Sequence, residues 1–251
     1  MINRFIYTAF LGVLLILTGC SSTPSDEQAS THSDVSDPLE GFNRTMWDFN
    51  YNYLDPYILR PTSVAYVDYV PSPVRSGISN FFGNLDEPSS MVNNIIMGNG
   101  KQAVNHFNRF WINSTFGILG LFDVASAAGI SKESDREFGD AIGYYGVGKG
   151  PYIMVPGAGP YALRESTDFV DSSYFPLSYI NIWASLGKFI FQGLDSRAEL
   201  ISQEPMLNDS PDPYLFTRDA YMQHLDFKAE VKKDDYNAAE EAKMDDYLDQ
   251  Y

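Results

Sequence analysis

The chain's one cysteine, Cys20, closes an N-terminal apolar run, and that placement limits what can fold behind it. No disulfide can form within the chain, so packing and hydrogen bonds alone must hold the rest together. Arg4 gives a positive start, Phe5 to Leu17 are uncharged, and Leu17-Thr18-Gly19-Cys20 follows with small residues before the cysteine. A helix that crosses a bilayer needs about 20 apolar residues, and Thr18, Ser21 and Ser22 end this run too soon. The segment therefore reads as a removed signal with a lipobox, in which Cys20 is acylated and becomes the first mature residue. More than one acyl chain on it gives stable anchoring, at about 0.8 kcal/mol per buried CH2.

By the sorting rule of bacterial lipoproteins, an aspartate after the cysteine retains the protein at the inner membrane. Ser21 stands there instead, which points to the outer membrane of a Gram-negative cell, on its periplasmic side. Removing residues 1–19 of 251 leaves 232, enough for one large domain. With 17 basic and 33 acidic residues the chain carries −16, which argues against nucleic acid as a partner. Anionic headgroups would repel the same charge, so membrane contact falls to the acyl anchor and to apolar surface.

Residues 20–36 read as a lipidated flexible tether. Asp37-Pro38-Leu39-Glu40 reads as a helix start, and Phe42, Met46, Phe49 and Tyr53 form one stripe up to an end or bend at Asp55-Pro56. Val74, Ile78, Phe81 and Phe82 predict a second helix, with a restart at Asp86-Glu87-Pro88. Val104, Phe107, Phe110 and Trp111 lead into an uncharged run, Phe110 to Phe122, too short to span and suited to a buried, re-entrant or interfacial helix. Between Gly139 and Gly159 the glycines make helix improbable, while Tyr152 to Val155 suits a short strand. Trp183 to Leu194 predicts the most apolar helix of the mature chain, and 226–251 an acidic tail.

Catalytic groups are scarce. His32 lies in the tether, His106 and His224 stand alone, and no G-x-S-x-G or H-E-x-x-H string occurs. Gly143 to Gly150 imitates a phosphate loop but places Gly150 where Mg2+ chemistry needs Ser or Thr. No catalytic residue and no metal ligand is assigned.

Several strings occur in a fixed order: Asp37-Pro38-Leu39-Glu40-Gly41-Phe42-Asn43-Arg44, Asp55-Pro56-Tyr57 with Arg60-Pro61, and Asn84-Leu85-Asp86-Glu87-Pro88. Phe107 to Phe110 with Asn113, Gly143 to Tyr152, Asp212-Pro213-Tyr214 and Arg218-Asp219-Ala220-Tyr221 complete the set. Together, after a lipobox, the chain resembles the MlaA (VacJ) family of outer-membrane phospholipid-transport lipoproteins. The resemblance implies a mainly α, single ring-shaped helical domain over 37–225, embedded in the inner leaflet of the outer membrane. A short glycine-rich hairpin or loop near a central amphipathic channel is implied as well. The implied function is removal of misplaced phospholipid from the outer leaflet, without enzymatic activity and without a cofactor beyond the diacylglycerol and N-acyl chain on Cys20. A trimeric porin and a periplasmic lipid carrier are the implied partners. Two alternatives stand beside this: a structural envelope lipoprotein, and a membrane-bound lipid hydrolase.

On that reading Lys188, the only charge between Asp171 and Asp195, is the candidate headgroup contact, with snorkelling to the interface as its ordinary explanation. Asp48 and Phe49 are candidates for the channel wall. Gly143, Gly146 and Gly148 are candidates for a movable lip.

Overall fold

A computed structural model describes residues 37–231, which are mainly α-helical. The lipobox residues Leu17 to Cys20, the tether and the tail from 232 onward lie outside the described residues. Helix α1 (Glu40–Asp48) comes first, with Leu39 at its cap position. Asp37 does other work: its carboxylate accepts from Asn43 Nδ2 at 2.8 Å and from the Tyr214 hydroxyl, and it lies 3.5 Å from Arg218. The first and last helices are thereby joined.

Two expected breaks are absent. The backbone passes Pro56 in a π-helical stretch, Phe49–Leu59, and continues as α2 (Arg60–Tyr69). Proline has no N–H to donate and its ring meets the carbonyl four residues back in an α-helix; the wider i→i+5 turn eases that clash, though one backbone bond stays unmade. Helix α3 (Ser72–Ile96) likewise runs through Pro88. Asn84, Glu87, Ser90, Asn93 and Asn94 are all buried along it; the first four bond to neighbouring elements, against the one backbone bond that proline removes, while Asn94 Nδ2 donates to Ser90 O of the same helix.

Helix α4 (Gly100–Thr115) packs antiparallel to α3 in sequence order, its start capped by Asn99 Oδ1 accepting from Gln102 N. The uncharged run beyond it is not helical. Ile118 and Leu119 adopt left-handed φ of 52° and 57°, and a Cβ on Gly120 would sit 2.4 Å from that of Asn84. The chain turns sharply there, leaving Phe116, Ile118, Leu119 and Phe122 exposed. A single turn, α5 (Val124–Ala127), follows.

Against expectation, residues 138–144 form helix α6 (Phe138–Tyr144), whose entry is fixed by Glu137 N donating to Asp140 Oδ2 at 2.9 Å. The expected strand is present: β1 (Tyr152–Val155) pairs antiparallel with β2 (Gly159–Ala162), Tyr152 opposite Ala162. Its free edge is covered by two asparagines seven residues apart on one helical face. Asn43 donates to Tyr152 O and accepts from Met154 N; Asn50 donates to Val155 O and accepts from Gly157 N. Side-chain amides thus complete the ladder as a third strand would. A 3-10 helix (Leu163–Ser173), α7 (Ile182–Leu200), the short α8 (Glu204–Asn208) and α9 (Pro213–Ala229) finish the described chain.

The apolar core is small. Tyr152, Met154 and Ala162 of the hairpin meet Tyr214, Met222 and Leu225 of α9, with Met46 and Trp47 packed against them. Elsewhere the usual arrangement is reversed. On α3 and α4 the buried positions are mostly polar, while Val74, Ile95, Val104, Phe107 and Trp111 are exposed. Buried polar groups and broad exposed apolar faces are the informative departures from a water-soluble fold.

Candidate functional site

The buried polar residues form a connected network. Glu87 accepts from His106 Nδ1 at 2.6 Å and from Arg109 Nε at 2.9 Å. Arg109 extends to Asp123 Oδ2, Ser126 Oγ and the carbonyl of Ile130, each at 3.0 Å. Asn113 donates to Asp123 Oδ1 at 3.1 Å and accepts from Ala125 N at 2.8 Å. This network fastens the irregular segment 116–131 to the α3/α4 pair. His106 Nε2 has no hydrogen-bond partner, so no hydroxyl is held on it as a hydrolytic relay would require.

Beside that network lies a polar cavity of about 370 Å3. Helix α3 contributes Asp86, Ser89 and Ser90, and α7 contributes Ser185, Lys188 and Gln192 at spacings of three and four, so that each helix offers one polar stripe. Asp135 to Glu137, with Asp168 and Asp171 from the 3-10 helix, close the wall. Lys188 Nζ bonds to Asp86 Oδ1, with about one fifth of its side chain exposed, and Gln192 reaches Asp86 Oδ2 at 3.4 Å. Lys188 therefore turns inward to a carboxylate rather than outward to an interface.

Burial governs the acids of this wall. It raises Asp86 above the usual carboxylate range, opposed by Lys188. Asp135 opens onto the cavity yet has enough protein around it that burial, reinforced by the charges of Asp86 and Glu87, pushes it up to about 6. Asp168 is pushed up to about 7 by burial, with Glu137 adding to the effect. Burial also raises Asp171, which accepts from Asn93 Nδ2 at 2.8 Å and Phe138 N at 2.9 Å. Glu137, Glu165 and Asp168 bring carboxylate oxygens within 4.8 Å of one another. Each is already engaged by a protein donor: Glu137 by Lys228, Glu165 by Ala162 N and Tyr221, Asp168 by Gly139 N.

The backs of the same elements are apolar. Trp183 is 77% exposed on α7, with Leu186, Phe189 and Ile190 also exposed, and α7 buries no residue fully. Among the described residues no helix is long and apolar enough to cross a membrane. Charged and polar groups face a hollow while Phe, Trp and Ile face outward, which is how polar side chains are accommodated at membrane depth.

The other expected site residues fall elsewhere. Asp48 and Phe49 are exposed on the first helical stretch and do not border this cavity; Asp48 accepts only a long 3.5 Å bond from Asn52. Gly143, Gly146 and Gly148 border a separate open cleft of about 600 Å3, with Lys149, Arg164 and Asp226. Gly143 is a packing position, since a Cβ there would lie 2.5 Å from Arg164 Nη1. Gly146 has φ +90°, and a Cβ on Gly148 would meet nothing. Cys20 lies outside the described residues. Asp86, Glu87 and Arg109 entered the sequence reading only inside motif strings, and neither they nor Asp168 were given a site role; the signal for the first two was an acidic pair in a helix whose one other charge is Arg75.

A further hollow of about 350 Å3 is apolar, walled by Trp47, Tyr51, Met154, Met206 and Phe216. At its polar end Arg197 binds Asp55 at 2.6 and 2.8 Å and Glu204 at 2.6 Å, while Arg60 binds Glu204 at 3.0 Å.

The profile of the MlaA lipoprotein family matches residues 35–228. The chain is 45% identical over 217 residues to the "Intermembrane phospholipid transport system lipoprotein MlaA" of Escherichia coli (strain K12), covering 85% of this chain and 84% of that one. The protein of the same name from Haemophilus influenzae is 40% identical over 232 residues, 91% of each chain. A solved structure described as "Structural basis for maintenance of bacterial outer membrane lipid asymmetry" superposes with a TM-score of 0.76 at 52% identity, covering 78% of this chain and all of that one.

Proposed function

This chain belongs to the MlaA lipoprotein family, and from that premise we propose how its residues carry out the family's task. It is an outer-membrane lipoprotein of the intermembrane phospholipid transport system, it maintains outer-membrane lipid asymmetry, and it is not an enzyme. In our reading the signal at 1–19 is removed, acylated Cys20 and the tether at 20–36 hold the domain that begins at 37 at the membrane, and the acidic stretch 226–251 starts inside the last turn of α9 (Pro213–Ala229) instead of after it. The domain sits in the inner leaflet as a ring around an amphipathic channel, and the polar cavity beside Lys188 is the headgroup side of that channel.

The observation that carries this reading is the inversion of polarity: Asp86, Lys188 and Asp168 border one hollow while Trp183, Phe189 and Phe107 face outward. A phospholipid needs a polar route for its headgroup, because burying an unpaired charge costs several kcal/mol, and an apolar one for its tails. In this reading the channel is passive and the driving force belongs to its partners. A trimeric porin that meets the exposed aromatic faces and a periplasmic carrier that takes up the lipid complete the route. Intact cells lacking the chain should show more phospholipid amine accessible to an impermeant reagent than cells carrying it; equal labelling would refute the reading. Co-purification with porin tests the partner separately.

A further inference from the structure

We infer that the polar cavity discriminates among headgroups, favouring a zwitterionic phospholipid whose phosphate is followed by an ammonium over one with a net negative charge. The inference rests on the cavity being the headgroup side of the channel. It follows from how the wall's charges are spent. Lys188 is the cation turned toward the hollow, and it lies against Asp86. Arg136, the other cation of the wall, gives its guanidinium to the backbone carbonyls of Phe227, Lys228 and Glu230 at the end of α9. Glu137 is matched by Lys228 at 3.0 Å.

The remaining acids have no such partner. Asp168 is held by a neutral donor, Gly139 N at 2.6 Å, and Asp171 by two more, Asn93 and Phe138 N. Asp135 makes no hydrogen bond or ion pair among the described residues, although its carboxylate opens onto the cavity. A phosphate finds one cation here, Lys188, by a charge-assisted bond. Asp135 and Asp168 then offer acceptors for a primary ammonium, since both line the cavity without a cationic partner. A headgroup that keeps its phosphate charge but carries no ammonium, as phosphatidylglycerol does, brings the same phosphate to Lys188 and no cation for Asp135 and Asp168, so its net negative charge is left among like charges, which disfavours the wrong occupant.

The test uses the full lipidated protein in detergent with EDTA, equilibrated with mixed micelles of equal phosphatidylethanolamine and phosphatidylglycerol, repurified, and its bound lipid counted by mass spectrometry. The expected result is enrichment of phosphatidylethanolamine by about fivefold, the ratio that one partly screened ion pair gives. The double variant Asp135→Asn, Asp168→Asn should bring the ratio toward one, and Asp209→Asn, exposed and outside the cavity, should keep the wild-type ratio. Thermal unfolding confirms that each variant is folded. Bound lipid with no enrichment, or enrichment of phosphatidylglycerol, overturns the selectivity and leaves the channel standing. Selectivity that survives the double variant overturns the assignment to these two carboxylates. Absence of bound lipid from wild type overturns the channel reading on which the inference stands.

Discussion

Replacing Arg109 by methionine should be among the most damaging single changes in this molecule, and the reason is countable. The guanidinium is 3% exposed and bridges Glu87 and Asp123 at 2.9 and 3.0 Å, while also serving Ser126 Oγ and the carbonyl of Ile130. Methionine retains much of the volume but none of the donors. Glu87, itself 6% exposed, would keep only His106. Breaking a buried ion pair from one side costs about 3–5 kcal/mol, because the partner charge stays buried without compensation. For a domain of this size each kcal/mol moves Tm by about 2–4 °C, so the loss should be on the order of 6–20 °C in detergent, followed by circular dichroism. The segment 116–131, held by the same guanidinium, should lose amide-exchange protection first. The triple variant Glu87→Gln, Arg109→Met, Asp123→Asn removes the stranded charges together and should recover part of the loss. A Tm within about 2 °C of wild type for the single variant, or a triple variant less stable than the single one, would refute the reasoning.

Gly143→Ala should destabilise by about 1–3 kcal/mol, as overpacking against Arg164 does, whereas Gly148→Ala, with open space around it, should stay within about 0.5 kcal/mol; equal effects in a side-by-side melt would contradict the packing role of Gly143. Asp168 carries the pH prediction. Its folded value near 7 lies above the ordinary carboxylate value, so the folded state binds the extra proton and stability falls as pH rises from about 4 to about 7. Asp168→Asn keeps an oxygen for Gly139 N and removes that dependence, so its advantage over wild type in Tm should grow between pH 5 and pH 8; a constant difference would contradict the burial of this carboxylate.

How much of this was legible beforehand depended on whether a residue's role was local or tertiary. The stripe in Trp183 to Leu194 and the strand at Tyr152 to Val155 rest on short-range spacing, and both are present as α7 and β1. Pro56, Pro88 and the glycines of 138–144 misled, because their local preferences are overridden by long-range partners. Asp86 finds its partner 102 residues away in Lys188, Asn43 meets Tyr152 O at 3.0 Å across 109 residues, and Gly139 and Gly143 are small because Asp168 and Arg164 pass over them. The ordered strings of the family resemblance mark this network. Asp37, Asn43, Asp55, Asp86, Glu87, Asn113, Tyr214 and Arg218 all engage partners across the fold. Lys188 stood out as a lone charge in an apolar stretch, but that signal could not supply its partner. Asp48 gave the same kind of signal and lies on an exposed surface.

In the proposed function phospholipid leaves the outer leaflet by way of the cavity between α3 and α7. Ser185 lies on its wall, and Ser185→Trp places an indole in a hollow of about 370 Å3 while leaving Lys188, Asp86 and the α3/α4 network unsubstituted. The direct measurement is labelling of outer-leaflet phospholipid amines in intact cells whose only copy of the chain is wild type or Ser185→Trp, matched for amount and thermal stability. Cells carrying the variant should be labelled as heavily as cells without the protein. Labelling as low as with wild type would contradict this route and place the lipid's path elsewhere.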